Sequence, residues 1–336
     1  MTRPANGAIR FNSGEETFKE CTLAIYISGS LAYDRIMNFP GKFTDSILPD
    51  QIHNLNVSFF IDRLEEKLGG NAGNIAYTLA LLGENPVIVA TAGKDFERYA
   101  ETLRQRGLSL EGITRLEEEL TASAYIMTDQ VNNQITAFHA AAMMTPSLYD
   151  FPDLNPDEDI ALIGPSNPDD MNAHPALYKE KGIRYIYDPA QQLPILTSEQ
   201  LLACIEGAYL LVGNDYEIQL IMNSTGRSKA ELAAMTIKGI VTTLGEKGSL
   251  VTDNEAGEEQ EVPAVPISKV ADPTGAGDAY RSGLIKGLVL GQSLLEAARL
   301  GATCASFCIE APGTQGHDFS LEDFFIRHSK TFGNSL

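Results

Sequence analysis

The residues in this chain best suited to chemistry are Asp272-Pro273-Thr274-Gly275-Ala276-Gly277-Asp278-Ala279. Gly275 and Gly277 let the backbone turn tightly and approach a ligand closely. The apolar run after them reads as a helix, and the preceding Pro- and Val-containing run reads as strand-like. At the start of a helix the N–H groups are unpaired and point outward, at the positive end of the dipole. Such a nest suits the negative charge that develops on a transferring γ-phosphoryl group. Asp278 lies inside it, where a carboxylate can take the proton of an attacking hydroxyl as general base. A lone Gly-x-Gly-Asp would read as an Asp helix cap after a glycine turn; the whole octapeptide is more specific. Arg281 falls three residues on, on roughly the same helix face. Steadying a phosphate and forming a salt bridge on an acidic surface carry equal weight for it.

A second segment is Gly69-Gly70-Asn71-Ala72-Gly73-Asn74-Ile75-Ala76, followed by Gly83 and Gly93. Two adjacent glycines let the backbone pass close to a ligand, and Asn74, on a first helical turn, can both donate and accept hydrogen bonds. Vicinal sugar hydroxyls want such a group beside a carboxylate. A dinucleotide-dependent oxidoreductase is disfavoured, because the Gly-x-Gly-x-x-Gly spacing is not met and Leu64-Glu65-Glu66-Lys67 makes a poor buried strand.

These segments need a scaffold. Strand-like apolar runs occur at 23–29, 86–92, 160–164, 183–187, 208–212, 240–243 and 249–252, several separated by helical stretches such as 72–82 and 95–106. Strands alternating with helices predict an α/β fold with a mostly parallel sheet covered on both faces. Two regions break the alternation: 35–63, with a β-rich run at 56–61, and 122–139, where two runs flank the turn Asp129-Gln130-Val131-Asn132-Asn133 like a hairpin. A small sheet over the site would use both, since a lid that excludes water suits phosphoryl transfer. The last helical pair spans 276–290 and Leu294–Ile309.

Composition narrows the partners. The 336 residues are 43% hydrophobic, enough for a large core. No stretch approaches the roughly 18 uninterrupted apolar residues a membrane helix needs. Residues 1–20 lack the apolar core of a secretory signal and read as a short, poorly ordered leader. The domain is then expected over 21–330, with lid segments about 34–63 and 121–140. Cys21, Cys204, Cys304 and Cys308 are too few and scattered for a disulfide framework, which fits a reducing cytoplasm. Cys304 and Cys308 share a helix face and read as buried packing; with His317 nearby but no fourth ligand, zinc has little support. The net charge of −20 repels nucleic acid and anionic membrane. It repels ATP too, so nucleotide must be held locally, by helix N-termini, Mg²⁺ and a few cations.

Together the two segments resemble the two sequence signatures of ribokinase-like (PfkB-type) kinases, at every defined position and in the family's order, about 200 residues apart. The resemblance covers the chain from about Leu23 to Phe325. It implies a three-layer α/β/α fold, a small β-sheet lid, and ATP-dependent phosphorylation of a small molecule with Mg²⁺. Asp34 matches the carboxylate that grips ribose hydroxyls, and Gly70 and Asn74 its partners; Ser30 and Ser58 fall in stretches assigned to the substrate. Asn214-Asp215-Tyr216-Glu217 matches the Asn-x-x-Glu motif, in which Glu217 organises Mg²⁺ through water. Thr243, Gly245 and Gly248 look like the nucleotide-contacting Thr-x-Gly-x-x-Gly turn. Gly275, Ala276 and Gly277 match the anion hole and Asp278 the base, while Asp272 and the stretch around Gly313 resemble segments that bind a monovalent cation such as K⁺.

Residues outside those motifs point to the acceptor. Gly29-Ser30-Leu31-Ala32-Tyr33-Asp34, Phe39-Pro40-Gly41-Lys42-Phe43, Leu48-Pro49, Val57-Ser58-Phe59, Asp188-Pro189-Ala190-Gln191-Gln192-Leu193, Arg281 and Gly313-Thr314-Gln315 look like bacterial adenosine kinases. That likeness implies Gln191 and Gln192 at the nucleoside site and aromatic rings around the purine. Phe138 would be one ring. Where the likeness implies a second, the chain has Ala124. Tyr125 beside it faces the other way in an ideal strand, so either a bulge turns it in or the base is held from one side. The expected activity is transfer of the ATP γ-phosphoryl to the 5′-hydroxyl of adenosine. The alternatives are another nucleoside or a sugar such as ribose or fructose, and, remotely, a non-catalytic nucleoside binder. A lid strand over 56–61 would also allow a homodimer.

Overall fold

The computed structural model describes residues 23–47, 56–152 and 154–333. The expected leader, Cys21 and Leu48-Pro49 lie outside them. Apolar, β-branched runs buried on both faces become parallel strands, because they have no wet side to alternate with. In chain order the chain forms β1 (Ile25–Ser28), β2 (Ala32–Asn38), α1 (Phe43–Ser46), β3 (Arg63–Gly69) and α2 (Asn71–Leu81). There follow β4 (Val87–Gly93), α3 (Glu97–Gln105), β5 (Ile113–Leu116), β6 (Ala122–Thr128), β7 (Gln134–His139), β8 (Ile160–Ile163) and α4 (Pro168–Lys181). Then come β9 (Arg184–Tyr187), α5 (Ser198–Ile205), β10 (Leu210–Asn214), α6 (Asp215–Thr225), α7 (Lys229–Met235) and β11 (Gly239–Thr243). The chain continues with β12 (Ser249–Asp253), β13 (Glu258–Val262), α8 (Ala276–Val289), α9 (Leu294–Ile309) and α10 (Leu321–Phe332).

The central sheet has nine strands in the order β13-β12-β11-β10-β9-β8-β1-β4-β5. All pairs from β11 to β5 are parallel; β12 alone runs antiparallel to both of its neighbours. Its two faces carry separate cores. Ile25 and Ile27 pack with Ile75, Leu79, Leu284 and Ala297 of α2, α8 and α9. Tyr26 turns the other way, to Met171, Leu201 and Ile218 of α4, α5 and α6. This is the three-layer α/β/α arrangement with a mostly parallel sheet that the resemblance implied.

A second sheet of four strands, β3-β2-β6-β7, carries the segments that broke the alternation. Two expectations need correction here. The run 56–61 forms no strand: Phe59 instead packs edge-on against Phe39 and Phe43, and Phe60 is exposed. Leu64–Lys67, as expected, is not a buried strand: it lies in edge strand β3, whose single partner and half-exposed positions tolerate its charges. The run before Asp272 is irregular after β13, and Pro263 and Pro266 supply no N–H for a ladder.

Candidate active site

Parallel strands end on one edge, so the segments after β1, β8, β9, β10 and β11 gather there. Between β1 and β8 the connections leave in opposite directions, β1 leading on towards β4, and such a switch point opens a crevice at the strands' carboxyl ends. Gly70 closes the small sheet onto the start of α2 with φ 84°, where a Cβ would strike Ser30 O at 2.5 Å. Gly275 does the same for α8 with φ 83°, its Cα hydrogen facing Thr314. One amide of each helix start is already engaged, Ala72 N donating to Ser30 O at 3.1 Å and Ala276 N to Pro273 O at 3.3 Å; further first-turn amides have no acceptor within the helix.

Asp278 lies half-buried in the first turn of α8 and accepts a hydrogen bond from Asn74 Nδ2 at 2.8 Å. Burial pushes its carboxyl up to about 6, against the pull of Arg281 and Asn74 and helped by Asp188 and Asp34. Asp34, on β2, is also pushed up to about 6 by burial, with Lys67 opposing and Asp272 assisting. No described residue hydrogen-bonds to Asp34, and a Cβ at Gly69 would collide with its Oδ2 at 2.4 Å. Two carboxylates with pKa values near 6 thus share one crevice, and each is free for a hydroxyl-bearing ligand on at least one oxygen.

Of the two expectations drawn for Arg281, the surface salt bridge does not hold. Arg281 is 6% exposed, and its guanidinium grips the 1%-exposed Asp188 side-on: Nη2 donates to Oδ1 at 2.8 Å while Nε contacts Oδ2. Its Nη1 lies under Gly277, only 2.7 Å from where a Cβ would be. Any side chain at 277 would displace this cation, which accounts for the glycine. Asp188 is therefore a site residue without an earlier assignment; its signal in the sequence was an acid directly after a buried strand.

Asn214 and Glu217 form a reciprocal cap on α6: Asn214 Oδ1 accepts from Glu217 N at 2.7 Å and Glu217 Oε2 from Asn214 N at 2.8 Å. Burial raises the Glu217 carboxyl despite the Asn214 amide, with Asp188 adding to the rise. Thr243 ends β11 in register with Asn214, and Gly245 and Gly248 hold the following turn at φ 60° and 89°. Asp272 accepts from Thr274 N and Gly313 N; although burial opposes it, these bonds hold its carboxyl below the ordinary value.

Other expected residues sit differently. Ser30 is committed to the fold, donating from N and Oγ to Asn71 Oδ1 at 2.7 and 2.9 Å. Ser58 is exposed in the irregular segment and makes no hydrogen bond to the residues above. Gln192 Nε2 donates to Ser166 O at 2.8 Å, while Gln191 is exposed in the turn after Asp188. Phe138, 54% exposed on β7, pairs in register with Ala124, which pairs with Asp34; the three therefore share one face of the small sheet. The register is unbroken, so there is no bulge at Tyr125. Its hydroxyl instead accepts from Arg35 Nη1 at 2.8 Å on the opposite face. Cys304 and Cys308 are buried in the packing of α9 against Phe319 and Phe324, and His317 is engaged with Thr78.

A switch-point crevice, a glycine-built helix start with an acid inside it, and a small sheet across the opening define a class of phosphotransferases. The pfkB family carbohydrate kinase pattern matches residues 31–319. The chain belongs to this family and is a phosphotransferase with an alcohol group as acceptor. It is 32% identical over 262 residues to a nucleoside kinase of Methanocaldococcus jannaschii, covering 77% of this chain and 85% of that protein. Among solved structures it is similar to the Burkholderia thailandensis nucleoside kinase in complex with inosine, at TM-score 0.82 and 34% identity, covering 92% of this chain and 99% of the other. It is likewise similar to the same kinase in complex with ADP-inosine, at TM-score 0.79, 36% identity, and 92% and 96% coverage.

Proposed function

We propose that this chain transfers the γ-phosphoryl group of ATP to the 5′-hydroxyl of a purine nucleoside, adenosine in the first instance. The observation that carries the reading is Asp278: a half-buried carboxylate within the α8 helix start, held by Asn74 and electrostatically coupled to Asp34, to which no described residue hydrogen-bonds. In this reading Asp34, with the Gly70 amide, takes the ribose hydroxyls, which fixes the sugar and aims its 5′-oxygen at Asp278. Asp278 removes that proton as the oxygen attacks, and the 275–277 amides receive the charge of the transferring group. Arg281, clamped by Asp188, adds a fixed positive charge beneath the amides. Positioning supplies most of the rate in such chemistry.

Thr243, Gly245 and Gly248 would hold the nucleotide donor. Among the described residues no cluster of three or more acids, histidines or cysteines is arranged for a metal ion. That suits a Mg²⁺ brought in on the phosphates, for Glu217 has one oxygen committed to its cap and one left for a bound water. Mg²⁺ there would neutralise phosphate charge. Asp272, whose oxygens each keep a lone pair after the Thr274 and Gly313 bonds, would face a monovalent cation such as K⁺. The six exposed residues of edge strand β7 offer a seam for a second copy, so a homodimer through the small sheets is part of the reading.

The base is held from one side, by Phe138, with space over Ala124 where a second ring was expected. A one-sided pocket discriminates weakly among purines, and the inosine complexes of the B. thailandensis relative favour inosine as a second acceptor. Replacing Phe138 by Ala should lower kcat/KM for the nucleoside about tenfold or more, as expected for loss of one aromatic stack. Any turnover of free ribose should change little. Equal losses for both substrates would contradict the base assignment.

A further inference from the structure

Gln315 was given no role above, yet it is bonded to the group that holds the proposed base. Its Nε2 donates to Asn74 Oδ1 at 3.0 Å and to Tyr99 Oη at 2.7 Å, which uses both amide hydrogens. Tyr99 is fully buried, and its own hydroxyl proton goes to Gly69 O at 2.8 Å. Asn74 then has its carbonyl occupied, and its Nδ2 donates to Asp278 Oδ2 at 2.8 Å. From the side-chain inventory, each link fixes the polarity of the next. The Gly69 carbonyl can only accept, so it orients Tyr99; Tyr99 offers a lone pair to Gln315; and Gln315 offers N–H to Asn74.

We infer that Gln315 is a positioning residue that holds Asn74 in the one amide orientation that favours ionised Asp278. In the reversed orientation Asn74 would place its carbonyl against the Asp278 carboxylate, where two acceptors repel unless the acid is protonated. It would also place its NH₂ against the Gln315 NH₂. A protonated Asp278 cannot take a proton from substrate, so reversal removes the base. Gln315 comes from the loop after α9, 241 residues from Asn74, and its neighbour Thr314 Oγ1 donates to Leu68 O at 2.9 Å. The same loop therefore ties the last residues of the small sheet to the orientation of the base.

The inference rests on Asp278 acting as base, and its test separates the two. The pH dependence of kcat is measured for the wild type and for Gln315→Met, which keeps length but supplies no N–H, with nucleoside affinity followed by calorimetry. In the wild type the acidic limb should fall near pH 6. In Gln315→Met it should move up by about one pH unit, as for weakened hydrogen bonding to a carboxylate. The rate would then be lowered about fivefold at pH 6 and about twofold at pH 7, with affinity unchanged. Tyr99→Phe removes the oriented hydroxyl and should shift the limb the same way, which keeps the test open should Gln315→Met fold poorly. An unmoved limb in both variants, or a change in KM alone, overturns the inference. If Asp278→Asn kept its turnover, the base reading itself would fail instead.

Discussion

Asp278→Asn should lose about 10³-fold or more in kcat, within the range expected when a general base is removed, while binding nucleoside within about threefold of the wild type. Asparagine is nearly isosteric, and its carbonyl can still accept from Asn74 Nδ2, which reaches the present carboxylate at 2.8 Å. The pocket geometry should therefore survive, and only the ability to take a proton is lost. Removing a negative charge from the phosphate path should also leave ATP binding no weaker. Single-turnover kinetics with calorimetric nucleoside affinity distinguishes the outcomes. A rate within about tenfold of wild type would show that the substrate proton leaves by another route.

The second large effect is on stability. Arg281 and Asp188 form a side-on ion pair with almost no solvent contact, beside Asp278 and Glu217. Arg281→Met leaves Asp188 buried without its partner, next to two further acids. Breaking one side of a buried pair costs about 3–5 kcal/mol, or roughly 5–8 °C of melting temperature in a domain this large. Adding Asp188→Leu removes the orphaned charge and should restore most of that loss, because two apolar groups can replace a buried pair at little cost. Activity should not return with stability, since the cation under Gly277 is still missing. Thermal melts of the single and double variants decide this; a single variant melting within about 1 °C of wild type would show that water or a neighbour compensates Asp188.

These two residues also mark how much could be read in the chain beforehand. Asp278 was legible because its neighbours are glycines at a helix start, a local pattern whose chemistry follows from backbone geometry. Alternation placed Ala124 and Tyr125 on opposite faces, and the unbroken register of β6 with β2 and β7 keeps them there. Asp188 was marked only as an acid after a buried strand, and Gln315 carried no local mark. Their partners lie 93 and 241 residues away, so their roles exist only once β9, α8 and the last loop have met. β3 was legible only in part for a related reason: its charges argue against a buried central strand, and only the topology shows that it pairs at an edge. Arg281 had a helical position that could be read, but whether that face meets water or the sheet edge is a matter of packing. The core strands needed no such context, since continuous apolar runs between turns have few other stable fates.

The most direct measurement is ADP release from Mg-ATP with adenosine, inosine, guanosine, cytidine, ribose and fructose offered in turn at matched concentrations. In the proposed reading, Phe138, on the same sheet face as Asp34, stacks a flat base while Asp278 takes the proton of a primary hydroxyl. We therefore expect kcat/KM for adenosine to be the highest of the panel, inosine to follow, and both to exceed the free sugars by at least about tenfold, the worth of one base stack. A preference for ribose or fructose would leave the family and the Asp278 chemistry in place and overturn the nucleoside pocket. Binding of adenosine without turnover of any acceptor would contradict the kinase account of this site as a whole.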